Sequence, residues 1–267
     1  MKARNNYSCD KIPVVILAGG LGTRLSEETE ARPKPLVNVG DEPILWHIMS
    51  IYAYFGYKDF HIALGYKGEL IKRYFLEKES LSGDMIIDMR TGDIERNKDI
   101  FEDWTVNLTD TGRDTQTGGR VKRLEQHLKG TPFMMTYGDG VGSVDINQLL
   151  EFHRTHGKIA TITAVRPPAR FGGITFDGDL VAEFIEKPQI GEGWINGGFM
   201  VFEPQVFQYL DNDMNVLEVH ALERLAADRQ LAAYRHEGFW QCMDTLRDKY
   251  LLEKLWQSGH APWRVWD

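Results

Sequence analysis

Leu17-Ala18-Gly19-Gly20-Leu21-Gly22-Thr23-Arg24-Leu25, followed shortly by Arg32-Pro33-Lys34-Pro35, gathers the residue types best suited to holding a polyphosphate. Gly19, Gly20 and Gly22 let the backbone fold tightly against a ligand, so that main-chain N–H groups can point at phosphate oxygens. Arg24 and Lys34 add two cations near the same loop, and the prolines flanking Lys34 restrict the chain that carries it. The preceding run Val14-Val15-Ile16-Leu17 is continuously apolar, as in a buried parallel strand. A glycine-rich loop at the end of such a strand is a place for a nucleotide.

Two better-known phosphate loops do not fit. A dinucleotide fingerprint beginning at Gly20 requires glycine at position 25, which is Leu, and the Gly-Lys-Ser/Thr of a Walker A loop occurs nowhere. A purely structural strand-to-helix turn is the bland alternative, and the adjacent Arg and Pro-Lys-Pro count against it.

The elements that must position this loop can be read from the apolar pattern. Segments 13–18, 58–64 and 133–137 read as strands, and 44–56 and 67–78 as amphipathic helices. This alternation predicts an α/β fold with βαβ units and a Rossmann-like, mostly parallel sheet flanked by helices. Ligands collect at the carboxyl ends of such strands, so the Gly19 loop and Asp139 belong on one edge. Residues 80–120 read as long loops or short strands around Trp104–Leu108. A helix is expected at 145–157, strands at 159–165, 174–176, 181–186 and 198–203 forming a smaller β-rich substrate lobe, and closing helices at 218–229 and 246–258. One domain spanning 1–267 is expected, as a half at 12–145 that carries the phosphate loop and a second half at 146–267.

Composition excludes several classes. A net charge of −8 disfavours nucleic acid or an anionic membrane as partner. The two cysteines, Cys9 and Cys242, have no paired or metal-type spacing, which fits a reducing compartment without disulfides. No apolar run is long enough to span a bilayer, and Met1–Lys11 is too polar for a signal peptide, so a cytoplasmic location is expected.

The loop, together with Pro-Lys-Pro, resembles the signature of the sugar-1-phosphate nucleotidyltransferases. Further segments are similar to the glucose-1-phosphate cytidylyltransferase branch: Pro43–Met49, Leu64-Gly65-Tyr66-Lys67-Gly68, Thr117-Gly118-Gly119-Arg120, Tyr137–Val141, Arg170-Phe171-Gly172, Glu186-Lys187-Pro188, Trp194–Phe199 and Gly238–Thr245. The resemblance implies cytidylyl transfer from CTP to α-D-glucose 1-phosphate. The products would be pyrophosphate and CDP-glucose for deoxysugar and O-antigen-type polysaccharide synthesis. It also implies Mg²⁺ as cofactor, a homo-oligomer, and nucleotide binding by the half at 12–145 with sugar-phosphate binding by the half at 146–267. Use of dTTP or UTP, or of another sugar phosphate, stays open, as do a nucleotide-binding protein without turnover and a glycosyltransferase. The last typically needs Asp-x-Asp, and Asp139-Gly140-Val141 lacks the second acid.

Carried over residue by residue, Leu17 to Arg24, Lys34 and Gly138 would bind nucleotide, with Thr115 and Arg120 reaching the base. Asp139 and Asp244 would hold Mg²⁺, although alone each also reads as a turn residue or helix cap. Lys187 would meet the sugar phosphate, and Glu186 and Asn196 the sugar hydroxyls. Arg24, Lys34, Asp139, Lys187 and Asp244 form the expected catalytic set. His153 and His156, three apart on a helix, are expected on a solvated face rather than as a metal pair, and Phe239-Trp240 in core packing rather than on a base.

Overall fold

The computed structural model describes residues 12–20, 22, 25–97, 102–128, 130–167, 173–177, 180–185 and 193–266. A seven-stranded sheet runs through both sequence halves. Its strands are β1 (Val14–Leu17), β2 (Asp59–Leu64), β3 (Thr105–Asp110), β4 (Phe133–Tyr137), β5 (Ala160–Val165), β6 (Ile195–Phe202) and β7 (Leu231–His236), in the order β7-β5-β6-β4-β1-β2-β3. β6 is antiparallel to both its neighbours, and the remaining pairs are parallel.

Every residue of β1 is buried, and its side chains alternate between two apolar layers. Val14 and Ile16 join the cluster containing Ile44, Ile48 and Ile51 of α2 (Ile44–Tyr54). Val15 and Leu17 join that containing Val121 and Leu124. A strand covered on both faces has no reason to alternate polar and apolar residues, which is why Val14–Leu17 is continuously apolar.

The helices α3 (Gly68–Ser80), α4 (Thr117–Arg123), α5 (Ile146–His156) and α6 (Leu246–Gln257) complete the flanks, and α1 (Ser26–Thr29) is a single turn after the phosphate loop. Asp145 caps α5 by accepting from the Gln148 N–H, and Gly157 ends it at φ 61°.

Several expectations change in detail. Residues 105–110 form a full parallel edge strand, paired from Asp59↔Thr105 to Leu64↔Asp110. Segments 160–165 and 195–202 enter the main sheet because they are buried along most of their length. The separate ribbon is confined to Gly173–Asp177 and Leu180–Ile185. The closing helix at 218–229 is a π-helical turn, Leu217–Leu222, leading into a short α-helix, Glu223–Ala227. His153 is buried rather than solvated: its Nδ1 and the Nε2 of His156 both meet Thr161 Oγ1 at 2.7 Å. The two imidazoles thus anchor α5 to β5. Among the described residues no helix is long and apolar enough to cross a membrane.

Candidate active site

Asp139 and Asp244 are 105 residues apart in sequence and meet because of a small ribbon. Gly140–Gly142 pairs antiparallel with Trp240–Cys242, Cys242 opposite Gly140. Asp139 immediately precedes the first strand and Asp244 follows the second, so the ladder delivers both to one end. A backbone bond from Met243 N to Asp139 O, 2.8 Å, closes the junction. Thr245 caps α6 in a capping box with Asp248, whose carboxylate also accepts from the Asp244 N–H at 3.2 Å. The cap is therefore Thr245, leaving the Asp244 carboxylate available to the cleft.

Lys34 lies between the two acids. Its Nζ donates to Asp139 Oδ2 and to Asp244 Oδ1, each at 2.6 Å. The tight turn Lys34–Leu36, begun by Pro33, aims it there, and buried Pro35 wedges it against Gly138. Burial opposes the ammonium charge, but the two carboxylates outweigh that and hold its pKa above the usual lysine value. The lysine stands as a positive charge where two hard oxygen donors converge. Among the described residues no group of three or more His, Cys, Asp or Glu side chains is placed to hold a metal, so the protein itself offers these two carboxylates and the lysine.

Two clefts share this junction. The first, about 300 Å³, is bordered by Leu17, Gly19, Gly20, Gly22, Lys34, Thr115 to Thr117, Arg120, Tyr137 and both aspartates. The second, about 470 Å³, is bordered by Thr136, Tyr137, Asn196, Gly197, Trp240, Cys242 and the same aspartates. Each is of a size that takes a small substrate.

The first cleft lies at the carboxyl ends of β1, β2, β3 and β4, where Leu17 is in register with Ala63 and Tyr137. Its loop is tied from behind. Thr29 Oγ1 donates to Gly22 O at 3.0 Å, and Lys67 Nζ to Thr29 O at 3.2 Å. Arg120, only 5% exposed, donates from Nη1 to Leu64 O, Thr111 Oγ1 and Gly112 O, and from Nη2 to Gly19 O and Arg113 O. Gly118 and Gly119 allow the 213–217 segment to come close, since a Cβ on Gly119 would lie 2.4 Å from Asp213 O.

Tyr137 stands between the clefts. Its hydroxyl donates to Glu218, which also accepts from Thr117 Oγ1 at 3.0 Å, and Asn196 Nδ2 approaches the same hydroxyl at 3.4 Å. Burial, with Glu218 beside it, keeps the phenol protonated by raising its pKa. Trp240 Nε1 donates to Gly197 O at 2.7 Å, and Phe239 stacks on Trp263 in the core. The Cys242 thiol, bordering the second cleft, is pushed up to about 12 by burial and then by the neighbouring aspartates. Sequence reasoning missed Tyr137 and Glu218; the adjacency of Tyr137 to Gly138-Asp139 was the available signal.

Of the expected residues, the structure brings Leu17, Gly19, Gly20, Gly22, Lys34, Thr115, Arg120, Asp139 and Asp244 around the first cleft, and Asn196 beside the second. Ala18 is buried, its N–H donating to Ala63 O, and Gly138 donates to Leu17 O at the same edge. Leu21, Thr23, Arg24, Glu186 and Lys187 lie outside the described residues.

The nucleotidyl transferase family model matches residues 13–245, most of the chain and every element of both clefts. The chain belongs to the nucleotidyl transferase family. It is similar to the glucose-1-phosphate cytidylyltransferase of Salmonella typhi, 49% identical over 95% of this chain and 99% of that one. It also resembles a Bacillus subtilis protein named "Probable glucose-1-phosphate cytidylyltransferase", 42% identical over 94% of this chain and 99% of the relative. Among solved structures, HddC from Yersinia pseudotuberculosis shares the fold with a TM-score of 0.68, at 22% identity over 92% of this chain and 99% of the other.

Proposed function

We propose that this nucleotidyltransferase moves a cytidylyl group from CTP to glucose 1-phosphate, releasing pyrophosphate and forming CDP-glucose. The observation that carries the reading is the meeting of two clefts at one pair of carboxylates, where a triphosphate and a sugar phosphate would face each other. The choice of base and sugar follows the relatives that match almost the whole chain.

The attacking oxygen belongs to a phosphate already ionised at neutral pH, so no general base is needed and catalysis rests on alignment and charge neutralisation. Backbone N–H groups of the described loop residues and the Lys34 ammonium would meet the triphosphate, and the family resemblance alone assigns Thr23 and Arg24, outside the described residues, to the same ligand. Thr115 sits on the wall where the base would lie. Asn196 serves the sugar hydroxyls, and the family resemblance alone assigns Glu186 to the sugar and Lys187 to its phosphate, both outside the described residues. Asp139 and Asp244 would hold Mg²⁺, which when bound neutralises charge at the α-phosphate. Lys34, held between the same two carboxylates, would place its positive charge beside the phosphate oxygens.

The test is kcat/KM for pyrophosphate release with Mg²⁺ and glucose 1-phosphate, across CTP, UTP, dTTP, ATP and GTP. CTP should lead. A preference for UTP or dTTP overturns the cytidylyl assignment, and no release with any triphosphate overturns the enzymatic reading.

A further inference from the structure

Arg120 borders the first cleft, yet both terminal nitrogens of its guanidinium are committed to the protein. They reach the carbonyls of Gly19, Leu64, Gly112 and Arg113 and the Thr111 hydroxyl at 2.7–3.1 Å. The five acceptors lie at the carboxyl ends of three strands: Gly19 after β1, Leu64 as the last residue of β2, and Thr111, Gly112 and Arg113 after β3. Among the described residues no carboxylate forms an ion pair with it.

The fit is close on two sides. A Cβ on Gly19 would stand 2.4 Å from the guanidinium carbon, and one on Gly65 would stand 2.4 Å from Nη1. Neither glycine has a positive φ. The reason for glycine at both positions is therefore the passage of the guanidinium between two backbones, not an unusual turn.

A trans peptide is planar, with its C=O and N–H pointing opposite ways. Arg120 Nη2 at 3.0 Å and Tyr66 N at 3.3 Å both hold the Gly19 carbonyl, and the next N–H in that peptide unit belongs to Gly20, exposed at the cleft. Fixing the carbonyl on one side fixes that N–H on the other. We propose that Arg120 is a positioning residue for the triphosphate: it locks the Gly19–Gly20 peptide so that the Gly20 N–H faces phosphate, and it leaves base selection to other groups. This deepens the reading given above and rests on it for the identity of the ligand.

Lysine keeps the charge but cannot reproduce the planar fork, so Arg120→Lys separates geometry from charge. Gly65→Ala adds a second arm, because Gly65 does not border the cleft and its new Cβ would push the guanidinium. The affinities of CTP, UTP and inorganic tripolyphosphate are measured with Mg²⁺, together with the glucose 1-phosphate KM and the Tm. In both variants all three polyphosphates should weaken by a similar factor, about tenfold or more, from loss of a charge-assisted arrangement. The CTP-to-UTP ratio and the sugar KM should hold.

A changed CTP-to-UTP ratio in Arg120→Lys would make Arg120 a base reader and overturn the proposal. Unchanged tripolyphosphate binding would overturn it too, as would equal losses for both substrates together with a large fall in Tm. If the wild-type protein binds tripolyphosphate but prefers another triphosphate, the cytidylyl assignment fails and the positioning role stands.

Discussion

The clefts on either side of Asp139 and Asp244 are built from different chemistry. The first is lined by glycine backbone, Lys34 and the Thr115–Thr117 segment, with backbone and ammonium donors suited to an anion. The second is lined by Thr136, Asn196, Trp240 and Cys242, neutral polar and aromatic groups suited to a hydroxylated ring. They also differ in how they are held. Side chains reaching from other elements tie the first, through Thr29, Lys67 and Arg120, whereas the junction with the second is set by a backbone ladder between Gly140–Gly142 and Trp240–Cys242. A tied loop is sensitive to single substitutions around it. A ladder protects the spacing of the aspartates and makes their own side chains the weak points.

The largest expected effect is therefore at the shared residues. Asp139→Asn or Asp244→Asn should lower the rate by roughly 10²-fold or more while the fold is kept. Use of both substrates should suffer, since both clefts end there; a variant impaired toward only one substrate would divide the junction.

Lys34→Met sharpens the contrast between the anion-binding side and the carboxylates themselves. Without its ammonium, Asp139 and Asp244 face each other, and the metal-free protein should lose about 1–3 kcal/mol, the pair being only partly buried. Mg²⁺ should restore more stability to the variant than to the wild type, while the triphosphate KM rises. Equal stabilisation of both proteins by Mg²⁺ would show that the lysine and the metal do not compete for one place.

Asn196→Ala tests the neutral cleft. The KM for glucose 1-phosphate should rise roughly fivefold, the loss of about one hydrogen bond, with the CTP KM little changed. A larger effect on CTP would move Asn196 to the other side.

The smallest effect is acid sensitivity of the scaffold that carries both clefts. Burial lowers the pKa of His47, His61 and His236 below the ordinary 6.5. The unfolded chain then takes up protons that the folded chain refuses, so stability should fall as pH drops through about 6.5. Urea melts between pH 7.5 and 5.5 should report this, and His47→Gln should flatten the slope. His47 is the choice because its Nε2 meets Val39 O at 2.8 Å within the Trp256 and Trp263 cluster, away from both clefts.

The sequence made the doubly covered strands legible, because burial on both faces leaves continuous apolar runs such as Val14–Leu17 and Phe133–Met135. Strand Leu231–His236 was not legible: it lies at a sheet edge, half-buried, with Arg235 and His236 interrupting any apolar run. The phosphate loop and the two aspartates could be named from their motifs, but the ribbon that unites the acids could not. Its strands are three residues long and two of their positions are glycine, too short for periodicity to register. Arg120 was visible as a cation beside glycines. That its donors turn toward backbone carbonyls depends on three strand ends converging, which no local pattern records.

In the proposed reaction Asp139 and Asp244 act as one cation site bordering both clefts. The most direct test is a double-mutant cycle on the rate of pyrophosphate release with CTP and glucose 1-phosphate, comparing Asp139→Asn, Asp244→Asn and the pair. If one ion is shared, the double variant loses far less than the product of the single losses, because displacing the metal leaves the second carboxylate little to do. Fully multiplicative losses, or single variants that still turn over in EDTA, would contradict the account.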